Sequence, residues 1–213
     1  MLEEAPKLEP IIGENFELVP PEKEEKVERY EHLKSLLEKY DVGEMVEDIL
    51  NLKWQEKVTV NDFDGEYGAS YQVPNKVYVN YIRGSWATSG IAHEMVHLIL
   101  YQNKWTDIPE ISDYISGHQD LKNPTKMRTV GYPIEQMVAY LLMRDVMLEI
   151  SEKDARVNKE QVLSQYGDSW FNRILEKEYP SEHLKTLGKK IIVEWQNRPK
   201  DMPVTDWIKS LLL

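Results

Sequence analysis

"SGIAHEMVHLIL", residues 89 to 100, sets two of the chain's five histidines, His93 and His97, four positions apart with Glu94 between them, inside an otherwise apolar run. Ile91, Ala92, Met95, Val96, Leu98, Ile99 and Leu100 make the segment apolar almost all round, and a Thr-Ser-Gly cluster precedes it. Length, start signal and composition predict a buried helix rather than a strand. On a helix, residues four apart share a face, so both imidazoles can converge on one ion at about 2.0–2.1 Å. Glu94 is offset by about 100° from His93, which keeps it from being a third ligand while leaving it able to reach a water on that ion. Burying two imidazoles and a carboxylate without partners costs a few kcal/mol, so the trio points to chemistry rather than coincidence.

Upstream, "EKVTVND", "YGASYQV" and "NKVYVNYI" are separated by the turn-forming segments "DFDGE" and "PN" and predict a small antiparallel sheet of three strands. In the last of them Val77, Val79 and Tyr81 share one face and Tyr78, Asn80 and Ile82 the other. Earlier still, Val27, Tyr30, Leu33, Leu36, Leu37 and Tyr40 recur at helical spacing, and Gly43 reads as a stop before a second short helix over "EMVEDIL". Residues 1–26 carry Pro6, Pro10, Pro20 and Pro21 among many glutamates, and read as an extended acidic arm.

Downstream, "TDIPEISDYISG" describes a short helix between Pro109 and Gly117. "QDLKNPTKMRTVGYP" reads as a loop, "PIEQMVAYLLMRDVMLEI" as a strong helix from Pro133, and the chain from about Lys159 as further helices. The fold class expected is α+β: a small antiparallel sheet and a buried metal-binding helix, then a mostly helical C-terminal part. Its organisation would be an arm at 1–26, a front lobe at 27–102 and a helical rear lobe at 103–213.

At 213 residues the chain can bury one sizeable core. Its formal net charge of −11 repels phosphate backbones and anionic bilayers, so neither nucleic acid nor a membrane is expected as a partner. There is no cysteine, which removes disulfides, thiolate metal sites and cysteine nucleophiles together. Any metal must bind through histidines and carboxylates. No run approaches the roughly 20 apolar residues of a membrane span, and "MLEEAPKLEP" lacks the marks of a signal peptide, so a cytoplasmic location is expected.

"HEMVH" with its strand-then-helix context, about Lys57 to Tyr101, resembles the zincin metalloproteases, in which both histidines bind zinc and the glutamate polarises the attacking water. Metzincins place a third histidine six positions after the second; Asn103 stands there, which leaves the gluzincin type. That resemblance implies a third ligand from a glutamate on a later helix, and Glu135, 38 positions after His97 in "PIEQMVAYLLM", is the candidate. His118 is a rival third ligand, with Glu110 and Asp113 behind it. Many gluzincins carry an aspartate a turn after that glutamate as orienting partner to a ligand histidine. Here residue 139 is Ala, so orientation must come from elsewhere, with Asp107 and Asp113 as candidates.

The resemblance implies a peptidase with one Zn2+ per chain on His93, His97 and Glu135, Glu94 as general base, and Tyr132 or His118 as oxyanion donor. A peptide or protein substrate would pair with a strand at the edge of the cleft, for which "NKVYVNYI" is the candidate. The acidic arm would then lie across that cleft as an inhibitory segment. The alternative is a zinc-scaffold regulatory or interaction protein with little or no general protease activity.

Overall fold

The computed structural model describes residues 11–12, 14–64, 68–81, 86–122, 131–179 and 181–213. The fold is mixed α+β. Among the described residues five strands, β1 (Ile11–Ile12), β2 (Phe16–Leu18), β3 (Val58–Asp62), β4 (Ala69–Gln72) and β5 (Lys76–Val79), lie in the order β1-β2-β3-β5-β4. Helices α1 (Val27–Leu37) and α2 (Val42–Leu50) cross between β2 and β3. Helix α3 (Trp86–Gln102) follows β5, and α4 (Pro109–Gly117) and α5 (Gln119–Lys122) lead to α6 (Tyr132–Lys153). Four helices close the chain: α7 (Lys159–Tyr166), α8 (Asp168–Glu178), α9 (Glu182–Trp195) and α10 (Val204–Leu212).

The sheet is mixed, not antiparallel throughout. β4 and β5 form the expected hairpin, but β5 folds back between β4 and β3 and so runs parallel to β3, which in turn runs parallel to β2. Side-chain chemistry accounts for the order. Val58, Val60, Val77 and Val79 are fully buried and need neighbours on both sides, whereas β4 exposes Ser70 and Gln72 and takes the edge. The outer edge of the sheet on this side is therefore residues 69–72, and the expectation that "NKVYVNYI" borders the cleft is corrected.

The acidic arm also needs correction over its described part. Phe16 and Leu18 are buried in β2, which pairs with β3, so these residues belong to the sheet rather than to an arm. They lie beyond β3 and β5 from β4 and not along it, which removes them from any inhibitory role at that strand. Residues 1–10 lie outside the described part. Gly43 is likewise not a helix stop: it falls inside α2, whose start is capped by the Asp41 carboxylate accepting from Glu44 N–H at 3.0 Å.

Helix α3 is buried along most of its length and lies between the sheet and α6, its most extensive helical partner. Gly90 permits the close approach to the sheet, since a Cβ there would stand 3.0 Å from Ala69 Cβ on β4. Two turns further on, on the same face, the His97 ring stacks on Tyr71 of β4 at 4.7 Å. The buried residues from Phe16 to Leu211 form one hydrophobic core. Among the described residues no helix is long and apolar enough to cross a membrane.

Candidate metal centre

The site forms where α3 and α6 cross the same buried space. His93, Glu94 and His97 on α3 are 9%, 8% and 1% exposed, and Glu135 on α6 is 3% exposed. Glu135 Oε2 lies 3.3 Å from His97 Nδ1, and its other oxygen, Oε1, accepts from the Trp105 indole N–H at 2.9 Å. Both oxygens of the carboxylate are thus engaged. Glu135 sits in the first turn of α6 because that helix begins at Tyr132–Pro133 after Gly131, whose φ of +78° few other residues adopt. A Cβ on Gly131 would press on the Trp105 ring at 2.9 Å, so the same glycine that starts α6 also seats the indole that holds Glu135.

Each histidine faces its own part of α6. His93 Nε2 lies 3.0 Å from the Gln136 amide nitrogen, and its ring lies 4.8 Å from that of Tyr140, one helical turn after Gln136. His97 meets Glu135 and lies parallel to the Tyr132 ring at 5.6 Å, so the two helices run antiparallel at the site. Burial, with the neighbouring His97 adding to it, holds the His93 pKa well below its ordinary value. His93 is therefore neutral, and the Gln136 N–H takes the Nε2 lone pair, which leaves the ring proton on Nδ1. Burial also pushes Glu94 up to about 7, the range in which a carboxylate both accepts and returns a proton near neutral pH.

Two imidazoles and a buried carboxylate make a nitrogen-and-oxygen donor set of the kind that zinc takes. As the side chains stand, Gln136 is on the His93 nitrogen and His97 turns Nδ1 to Glu135. No group of three or more His, Asp or Glu among the described residues is drawn together closely enough to hold an ion in this arrangement. A cavity of about 480 Å³, lined by Gln55, Pro74, Tyr101, Gln102, Trp105 and Glu135 among others, opens on the Glu135 side.

Neither a protein-family model, nor a curated protein, nor a solved structure matches this chain. The site is therefore read from its own geometry.

Of the residues singled out in the sequence, His93, Glu94, His97, Glu135 and Tyr132 come together, and His118 does not. Its Nδ1–H donates to the Tyr114 carbonyl at 2.7 Å and its ring stacks on His183 of α9 at 4.3 Å, because α4 ends at Gly117 and the extended backbone at His118 turns toward α9. His118 is thus corrected both as a rival ligand and as an oxyanion donor. Glu110 pairs with Lys209 at 2.6 Å, and Asp107 and Asp113 are exposed, so none of the three orients a histidine. The ring nitrogens meet other groups instead, His97 Nδ1 the Glu135 carboxylate and His93 Nε2 the Gln136 amide. Sequence reasoning passed over Trp105, Gln136, Tyr71 and Tyr140. Gln136 alone carried a signal, as the polar neighbour of Glu135 in an apolar helix.

Proposed function

We propose that the chain is a zinc-dependent metallopeptidase of the gluzincin type, hydrolysing peptide bonds with Glu94 as general base. The observation that carries this reading is the meeting of Glu135 with His97, 38 positions apart in sequence, beside a buried His93 and Glu94. His93, His97 and Glu135 would hold the ion. Bound zinc supplies an open coordination position and brings the pKa of water there to near 7.

The chain's own groups do the rest. Glu94, pushed up to about 7, takes the proton of the attacking water and returns it to the leaving amine. Trp105 fixes the Glu135 carboxylate by its indole N–H. Tyr132, parallel to His97, is the donor toward the developing oxyanion. The edge strand β4, whose Tyr71 stacks on His97, offers main-chain groups to an extended peptide.

The test is metal content together with peptidase activity on a mixed peptide digest, for wild type and for Glu94→Gln. The expected result is one zinc per chain in both and cleavage in wild type alone. Wild type that stays zinc-free after reconstitution overturns the reading, as does a Glu94→Gln protein that cleaves at the wild-type rate.

A further inference from the structure

We infer that Gln136 hydrogen-bonds the oxygen ligand that enters the open position of the metal centre, an inference that rests on the zinc reading above. Gln136 is 5% exposed, and its amide nitrogen lies 3.0 Å from His93 Nε2, the nitrogen that a zinc ion takes. Its amide oxygen is buried and has no hydrogen-bond partner among the described residues. A buried amide with one end unmatched is costly, and native chains keep such groups where a partner arrives from outside.

A metal ion on His93 Nε2 would displace the Gln136 N–H and leave both ends of the amide in want of a partner. An incoming group that offers one donor and one acceptor satisfies both. A metal-bound water or a hydroxamate has that pairing, and the carbonyl oxygen and adjoining N–H of a peptide have it as well. The apolar neighbours Met137, Val138 and Leu141 are fully buried and hold α6 in rotation, so the amide is presented by a rigid element. Gln136 exchanges no proton and forms no bond in the reaction: it is a positioning group for the oxygen that reacts.

The probe is acetohydroxamate, titrated into Co(II)-loaded protein and followed through the d–d absorption bands, which needs no substrate. In Gln136→Met, which keeps the size and removes both polar ends, the hydroxamate is expected to bind about tenfold or more weakly, while Co(II) affinity changes by less than about threefold. Gln136→Glu, a second variant with the same shape, is expected to weaken it similarly by repelling the anion. In unsubstituted zinc-loaded protein, the Gln136 side-chain amide resonance is expected to shift when acetohydroxamate is added. Unchanged hydroxamate affinity, a Gln136 resonance that stays in place, or loss of Co(II) from folded Gln136→Met each overturns the inference and leaves the peptidase reading standing. Wild type that takes up neither Co(II) nor zinc overturns both.

Discussion

The carboxylate of Glu135 reaches His97 Nδ1 at 3.3 Å while its second oxygen is held by Trp105 at 2.9 Å. One side chain therefore joins the first turn of α6, helix α3 and the segment between α3 and α4. A carboxylate so placed serves an ion either by binding it or by orienting the imidazole that does, and the two roles differ in magnitude. Orienting partners are worth about 10- to 100-fold in metal affinity. Glu135→Ala is expected to lower zinc affinity by more than about 100-fold, as loss of a ligand requires, measured by competition with a chromophoric chelator.

The Trp105 indole donates to a buried carboxylate. Trp105→Phe keeps most of the ring and removes the N–H, and it is expected to destabilise the metal-free protein by about 2 kcal/mol. Urea unfolding checks the value. A Trp105→Phe protein as stable as wild type shows that Glu135 has no need of the indole.

Glu94 titrates near 7 in the folded chain against an ordinary 4.5, because burial disfavours its charged form. A carboxyl whose folded pKa is raised contributes stability that is complete below its unfolded pKa and is lost as pH rises through the folded one. In metal-free protein, wild type is thus expected to lose up to about 3 kcal/mol between pH 4.5 and 7 relative to Glu94→Gln. Unfolding curves for the two proteins that stay parallel across this window contradict the burial effect.

Gly131 combines a φ of +78° with a neighbour in the way, since a Cβ there meets Trp105 at 2.9 Å and Ile115 at 3.0 Å. Gly131→Ala is expected to cost about 1–3 kcal/mol by thermal unfolding, from backbone strain and displacement of the indole. Zinc affinity should fall with it, because the start of α6 and the Trp105 donor move together.

The buried helix at 86–102, the helices at 109–117 and 132–153 and the three strands nearest the site were all legible, since each has a clear period or punctuation. Neighbour relations were not. Turn residues show that β4 reverses into β5, yet nothing local says that β5 inserts beside β3, because that choice belongs to the burial of the four valines. The run at Phe16–Leu18 was masked by its prolines and glutamates, which describe the flanks and not the three residues that pair. At the centre, the α3 residues follow from helical spacing, and Glu135 came from a resemblance. Trp105 lies in a short 3-10 turn with no periodic signal, and its role appears only when α6 is packed against it.

The parallel pairing of β2 with β3 bears on how the chain reaches this state. Phe16 finds Val58 only after α1 and α2 have crossed between them, and His93 reaches Gln136, 43 positions away, only after α4 and α5 have passed between α3 and α6. The two closures span nearly the same length of chain, so loop-closure entropy opposes them about equally. Neither end of the molecule is therefore favoured to close first: the side chains of the α3–α6 crossing and the docking of Phe16 and Leu18 wait on loops of one size.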